Sequence, residues 1–410
     1  MRILWVKAGK LLPVDTGGKI RSFNLLRQLA ARHDLVLLSY YGDARDLDYE
    51  RAIREHFPRA ETVNTAVSSA SIRHYAAHLA SPVPYAVTKF ASRRVRETVT
   101  NWLNDGRFDI AVCDFLSASL NFPRRFVTPC VLFQHNVESV LWRRQAAHEP
   151  NVLKRMAFTM EAWKMGRYER ATVARFPHVI AVSDRDRDAM ADMTDPSRLS
   201  VVPTGVDVAQ YRGVAGEDAG RPHVMFLGSM DWDANVDAVE HFCRAIWPAV
   251  RRAVPAARFR IVGRHPHPRV VKLASESVEV TGTVPSVIDY LRDAAVVVVP
   301  LRVGGGTRLK IFEAMAAGRA VVSTSIGAEG LDVADGRDLV LADDDARFAE
   351  AVIDLLRDGD QRRALGHAAA ESAARYDWPA IALRFEQILR RAMQASAPVA
   401  GAARTVEIGA

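Results

Sequence analysis

The sequence predicts an α/β protein built as two doubly wound, Rossmann-like parallel-sheet domains in tandem, and three observations lead there. Short β-branched runs alternate with helical patterns along the chain, the order expected of strand–helix–strand units that share a parallel sheet. The alternation falls into two series, separated at Val202-Pro203-Thr204-Gly205-Val206-Asp207. At 410 residues the chain is also long enough for two cores.

In residues 1–202 the expected strands are Ile3–Val6, Leu35–Tyr40, Ile110–Cys113, Val131–Gln134 and Val179–Val182, with a helix from about Arg21 to Arg32 after the first. Between about Ile53 and Asn104 the pattern reads as mostly helical, most clearly over Ile72–Ala80 and Phe90–Asn104. A polar segment, Gly213–Arg221, follows the junction. Residues 203–377 then carry Val224–Leu227, Phe259–Val262, Val278–Thr281, Val296–Pro300, Ala320–Ser323 and Leu339–Ala342, with helices between them. An amphipathic helix over residues 378–394 comes after the second sheet is complete and is expected to pack back on the first domain. The Ala/Gly-rich tail 395–410 lacks the apolar content to fold. Ligands of doubly wound sheets bind beyond the carboxyl ends of the strands, so two such domains are expected to face each other across a cleft.

Hydrophobic content of 49% and charged content of 25% are those of an ordinary globular protein. Charge is uneven: residues 1–200 hold 30 Lys and Arg against 21 Asp and Glu, whereas residues 201–410 hold 25 against 27. A basic first half and a near-neutral second half imply different partners. Arg93-Arg94-Val95-Arg96, Arg124-Arg125, Arg143-Arg144 and Lys154-Arg155 suit an anionic membrane surface or a phosphorylated acceptor, and equally suit scattered solvated positions. Cys113, Cys130 and Cys243 have no paired spacing and read as buried thiols of a reducing compartment. The opening Met1-Arg2-Ile3-Leu4-Trp5-Val6-Lys7 is interrupted by charge too early for a signal peptide, and no window reaches the ~18 apolar residues that span a bilayer. A cytoplasmic protein, at most peripheral at the inner membrane, is expected.

The richest segment lies after the strand Val296–Pro300, where Gly304-Gly305-Gly306-Thr307-Arg308-Leu309-Lys310 opens into the helical stretch Ile311–Gly318. Its spacing is neither the Walker pattern nor the Gly-x-Gly-x-x-Gly of dinucleotide folds. Three glycines alone describe a flexible turn. Two cations beside permissive backbone, however, call for an anion to share, because helix N-termini and glycine loops offer unpaired N–H groups and Arg supplies a fixed fork of donors. Glu313 lies three residues beyond Lys310, on the same helical face, where it either pairs with Lys310 or meets a diol. A diphosphate with a sugar-like diol attached fits this combination.

The string 304–330 resembles the donor-site signature of retaining GT-B glycosyltransferases, the group of glycogen synthases and bacterial mannosyltransferases. Four further segments match in order. Asp15-Thr16-Gly17-Gly18-Lys19 resembles the family's N-terminal glycine loop, and Gln134-His135-Asn136-Val137-Glu138 its mid-domain histidine motif. Val182-Ser183 with Val202–Asp207 resembles its interdomain passage, and Phe226-Leu227-Gly228 the first strand of its nucleotide domain. The resemblance implies a GT-B fold, with an acceptor-binding domain over residues 1–202 and a nucleotide-sugar domain over 203–377. It further implies that Glu313 binds the ribose hydroxyls and that Arg308 and Lys310 neutralise the diphosphate as charge grows on it. Backbone N–H groups of Gly304, Gly305, Gly306 and Thr307, and of Gly17 and Gly18, would surround the phosphates. His135, with Glu138 near it, would sit beside the transferred sugar, and Thr283 and Val284 would line the base.

Two departures from the family stand out. Its usual signature has two glutamates eight residues apart, and the partner of Glu313 falls at Gly305. Many members also carry an Arg and a Lys downstream of the position of Gly228, where this chain has Ser229-Met230-Asp231-Trp232-Asp233-Ala234-Asn235. The loop Gly-Gly-Gly-Thr-Arg resembles a bacterial subgroup of cell-surface and exopolysaccharide assembly. From the residues themselves, His135 is either functional or a satisfied structural histidine. His265 and His267, without acidic or cysteine companions, read as loop residues, and Asp184-Arg185-Asp186-Arg187-Asp188 as a solvated helix start. With no Asp-x-Asp metal motif, neither metal nor cofactor is expected, and the partners are a nucleotide-sugar donor and a glycan or lipid-linked acceptor, with no nucleic acid. An epimerase of the same fold, or an inactive scaffold, is the alternative.

Overall fold

A computed structural model describes residues 1–42, 44–65, 78, 81–214, 221–303 and 309–396. Contacts divide the chain into two units: unit 1 is Met1–Val202 with the chain from Ala382 onward, and unit 2 is Pro203–Ile381.

Unit 1 holds β1 (Arg2–Ala8), β2 (Asp34–Tyr41), β3 (Ala60–Asn64), β4 (Ile110–Asp114), β5 (Cys130–Phe133), β6 (His178–Ala181) and β7 (Leu199–Val201). All pair in parallel, in the order β3-β2-β1-β4-β5-β6-β7. Strand order reverses between β1 and β4, and a doubly wound sheet opens its ligand crevice at such a point. Helices cover both faces, which is why β4 and β5 are buried at every position. Leu4, Val6, Leu38, Ala111 and Leu132 of the strands meet Val95, Val99 and Leu103 of the helix Arg93–Asn104 and Val173 of the helix Val152–Arg175 in one core.

Unit 2 repeats the plan with β8 (His223–Leu227), β9 (Arg258–Val262), β10 (Val278–Gly282), β11 (Val296–Val299), β12 (Ala320–Ser323) and β13 (Val340–Leu341). Their parallel order is β10-β9-β8-β11-β12-β13, with the reversal between β8 and β11. The all-valine β11 is central and fully buried. Every strand expected in this unit is present.

Two strands of unit 1 were not expected. β3 lies inside the stretch read as helical, because only Ala60 and Val63 of its five residues are fully buried and an edge strand of that kind shows little apolar alternation. β7 is three residues long and adjoins the junction, so it gave no run to recognise. The expected helix over Ile72–Ala80 lies outside the described residues except for His78. No described helix is long and apolar enough to cross a membrane.

The helix Trp378–Ser396 buries Trp378, Ile381, Ala382, Phe385, Ile388, Leu389 and Ala392, a stripe at helical spacing. Its residues from Ala382 onward belong to unit 1. There the Phe385 ring packs 5.6 Å from that of Trp5 on β1 and 5.1 Å, edge-on, from that of Phe133 on β5. Glu386 meets His33 at 3.1 Å and Arg32 at 3.6 Å. Removing the Phe385 ring leaves a cavity under the centre of the sheet. Phe385→Ala is therefore expected to cost about 3–5 kcal/mol in urea unfolding of the intact chain, and a loss below about 1 kcal/mol would show that the helix is not an integral part of unit 1.

Candidate functional site

In unit 2 the carboxyl ends of β8 and β9 are drawn together by glycine. A Cβ on Gly263 would lie 1.6 Å from the carbonyl oxygen of Gly228, so neither a side chain nor a small shift is tolerated there. Gly228 itself is roofed by two side chains, since a Cβ on it would meet Asn235 Nδ2 and Lys310 Nζ, each at 2.8 Å. Lys310, in the first turn of the helix Leu309–Ala316, donates to Asn235 Oδ1 at 2.7 Å and lies 4.3 Å over the Phe226 ring. Asn235 in turn donates to the Ser229 carbonyl at 2.7 Å. From the end of β9, Arg264 reaches Ser229 Oγ at 3.0 Å.

The half-buried Glu313 stands one helical turn beyond Lys310. Burial pushes its carboxyl above the usual range, opposed by a hydrogen bond from the Tyr211 hydroxyl and by the Lys310 charge. Tyr211 is 3% exposed, and burial followed by the Glu313 charge raises its phenol far above its ordinary value. A cation and a hydrogen-bonded carboxylate thus share one helical face at the carboxyl end of the sheet. Thr283 is exposed and Val284 half-buried just beyond β10, on the outer side of the same edge. Gly304, Gly305, Gly306, Thr307 and Arg308 lie outside the described residues.

In unit 1 the reversal point is occupied by a buried polar cluster. Lys7, Arg21, Ser22, Asp114 and His135 are each at most 3% exposed. Asp114 Oδ2 accepts from Trp5 Nε1 at 3.0 Å, Ser22 Oγ at 2.7 Å and Lys7 Nζ at 3.1 Å, and Oδ1 meets His135 Nε2 at 2.7 Å. Arg21 lies 2.8 Å from His135 Nδ1. A guanidinium only donates, so Nδ1 is the acceptor and the ring proton sits on Nε2, facing Asp114. Burial pushes His135 down to about 3 despite the pull of Asp114. Burial would raise Asp114, yet Lys7 and His135 hold it well below the usual carboxylate range.

This geometry shows what holds the His135 ring. Both ring nitrogens are hydrogen-bonded inside unit 1, and the ring is stacked 3.7 Å from Phe115. Gly18 also has a packing role. A Cβ there would come within 2.5 Å of the Phe115 ring, so its smallness admits that aromatic. Phe115 follows β4 at φ 73°, a left-handed value rare outside glycine, which swings its ring between the helix start and His135. Gly17 opens the helix Gly17–Ala30 with no side-chain cap and no acid in the first turn.

Glu138 begins the helix Glu138–His148, but the residue that serves this helix start is Glu169. Its Oε1 accepts from Glu138 N at 2.8 Å and Gln134 Nε2 at 2.7 Å, and its Oε2 from Ser139 N at 3.1 Å. A carboxylate on the first N–H groups of a helix satisfies donors the helix cannot. Glu138 itself is half-buried, and burial, then the Glu169 charge, raises it to about 7.

Sequence reasoning missed Lys7, Arg21, Ser22, Asp114, Tyr211, Asn235 and Arg264. A signal existed for two of them: Lys7 and Asp114 are lone charges closing apolar strands at their carboxyl ends. Tyr211 and Asn235 carry no such mark. Among the described residues no group of three His, Cys, Asp or Glu is arranged to hold a metal ion; His267 accepts from Arg269 N as a helix cap, and Ser183 caps the Asp184–Met190 helix.

Residues 16–210 match the family model Glycosyltransferase Family 4, and residues 221–358 match Glycosyl transferases group 1. A phosphatidyl-myo-inositol mannosyltransferase of Mycobacterium leprae is 28% identical over 334 residues, covering 76% of this chain and 81% of that protein. Among solved structures, a sucrose-phosphate synthase from Thermosynechococcus elongatus superposes with a TM-score of 0.67 at 19% identity, covering 96% of this chain and 99% of that one. HepE from Anabaena, in complex with UDP and glucose, gives a TM-score of 0.63 at 14% identity over 95% and 99%. Together with the two parallel sheets, these likenesses establish the GT-B fold.

The buried imidazole makes a pH prediction. Its folded value of about 3 lies below the ordinary ~6.5 of an unfolded histidine, so the unfolded chain takes up the proton first. Its contribution to stability is complete above about pH 6.5 and is lost as pH falls toward 3. Glu138 acts in the opposite sense, its contribution fading as pH rises through about 7. Nitrogen NMR of labelled histidine is expected to show His135 neutral and protonated on Nε2 at pH 5. A ring titrating near 6.5 in the folded protein would overturn the assignment.

Proposed function

The chain is a glycosyltransferase of the GT-B type, and from that premise we propose a retaining enzyme that moves a hexose from a nucleotide-diphosphate sugar to a glycan or lipid-linked acceptor in cell-surface polysaccharide assembly. The observation that carries this reading is the pairing on one helix of Lys310, held at the end of β8, with Glu313, held by Tyr211. An ammonium fixed beside a strand's carboxyl end suits a diphosphate. A carboxylate one turn away suits the two hydroxyls of a ribose, from each of which it can accept.

In this reading Lys310 and Arg308 stabilise the charge that grows on the diphosphate as the glycosidic bond breaks, which makes them catalytic as well as binding groups. The departing phosphate oxygen takes the acceptor proton on the same face of the sugar, and no divalent ion is required. Asn235 and Gly228 set the position of Lys310, and Tyr211 that of Glu313. Arg264, at the end of β9, is a further cation for the diphosphate end of the donor. The mannosyltransferase relative and the UDP and glucose found with HepE support a hexose and a nucleotide diphosphate as donor parts. The reading places the protein in the cytoplasm, working on acceptors presented at the inner membrane.

Thermal-shift titration with UDP-, GDP-, ADP- and TDP-sugars, with and without Mg²⁺, tests this. One donor should raise the melting temperature, since a ligand of the folded state alone stabilises it. Lys310→Ala and Glu313→Ala should each weaken that donor at least tenfold, about 1.4 kcal/mol, while Tyr211→Phe should lower affinity less. Unchanged donor affinity in both alanine variants would sink the site assignment. No shift with any sugar would favour the scaffold reading, and interconversion of donor sugars without acceptor would favour the epimerase.

A further inference from the structure

The helix Val152–Arg175 has two opposed faces. Glu161, Ala162, Met165, Glu169, Thr172 and Val173 are turned into unit 1. On the other side Val152, Met156 and Trp163 fall on one line, at i, i+4 and i+11, and are 56%, 65% and 61% exposed; Leu153, beside them, is 78% exposed. Eleven large hydrophobic side chains are exposed among the described residues, and these four share a single stretch of twelve. Apolar residues on a solvated surface ordinarily scatter singly, so the cluster points to a partner. Asn151–Met156 is exposed at every position, so this end of the helix projects from the unit.

Cations border the apolar tip. Arg143 on the neighbouring helix Glu138–His148 and Arg155, Arg167 and Arg170 on this one line a groove of about 710 Å³, with Trp163 on its wall. The Arg167 guanidinium lies 5.0 Å over the Trp163 ring. Lys154 adds a further charge at the tip. The acids at hand are Glu149 and Asp192, the latter paired with Arg170 at 2.6 Å.

We propose that the helical hairpin Glu138–Arg175 docks on a bilayer carrying anionic phospholipid headgroups. Val152, Leu153, Met156 and Trp163 enter the boundary between headgroups and acyl chains, while Arg143, Arg155 and Arg167 engage lipid phosphates. That division of labour is the physics of interfacial helices, which add buried apolar area to electrostatic attraction. A soluble polyanion would leave the apolar tip without a use. A second copy meeting this face by two-fold symmetry would set arginines against arginines, which like-charge repulsion disfavours. The proposal rests on this surface alone and holds whatever the donor is.

Co-sedimentation of the full chain with vesicles tests it. Binding is expected to phosphatidylcholine vesicles containing a quarter phosphatidylglycerol, with little binding to phosphatidylcholine alone, and it should weaken as salt rises. Arg155→Glu with Arg167→Glu should lower partitioning about tenfold or more, and Leu153→Ser with Met156→Ser by a similar factor, both with unchanged circular dichroism and melting temperature. Brominated acyl chains should quench tryptophan emission of the wild type, and Trp163→Phe should remove most of that quenching, a readout independent of the charge variants. Absence of binding to anionic vesicles, or binding unaltered in both double variants, would overturn the proposal. So would a concentration-dependent dimer that the same variants dissolve in the absence of lipid.

Discussion

One carboxylate organises the carboxyl edge of the first sheet. Asp114 closes β4 with no exposure to solvent, and four donors from three other elements converge on it: Trp5 and Lys7 of β1, Ser22 of the first helix, and His135 beyond β5. A buried charge is costly unless it is paired and hydrogen-bonded. Here the cost is offset by Lys7 together with the other three donors, and removing either charge would leave its partner buried without a counter-charge. The consequence reaches outward: Asp114 sets the His135 tautomer, His135 receives Arg21, and the stacked Phe115 ring sets how closely the helix start at Gly18 can approach. The geometry of a site-bearing edge is thus settled by groups that need never touch a substrate.

The second sheet solves the corresponding problem by backbone proximity. Gly228 and Gly263 let the loops after β8 and β9 come into contact, and that contact creates the space in which Asn235 and Lys310 lie over bare backbone. Lys310 meets the Asn235 amide oxygen and the Phe226 ring, and its charge also acts on Glu313 one turn along the helix. The contrast with Lys7 is chemical: Lys7 donates to a buried carboxylate at 3.1 Å, whereas Lys310 donates to a neutral amide oxygen at 2.7 Å.

The fold class was legible because parallel strands buried on both faces write themselves as apolar runs, as β4, β5 and β11 do. Strands β3 and β7 were not legible because a short edge strand buries too few side chains to leave a pattern. At the site, the sequence pointed to Lys310 and Glu313 by their spacing on one helical face. It could not show Asn235, which lies 75 positions before Lys310, or Tyr211, which lies still further upstream of Glu313. His135 shows the limit from the other side. A polar residue after a buried strand reads the same whether it faces a ligand or closes a network, and the sequence could not show that Asp114 and Arg21 meet its two nitrogens.

The uneven charge of the chain resolves in a similar way. Part of the excess in residues 1–200 is internal: Lys7 and Arg21 are buried at the reversal point, and Lys164 lies 3.5 Å from Glu161 inside the unit. Those cations are structural, and counting them as surface potential overstates it. Others, Arg143, Arg155 and Arg167, line a groove beside exposed apolar residues on one hairpin. A net charge summed over a sequence therefore mixes cations spent on folding with those available to a partner. Only their burial separates the two, and for this chain some of the available ones stand where Trp163, Leu153 and Met156 are exposed as well.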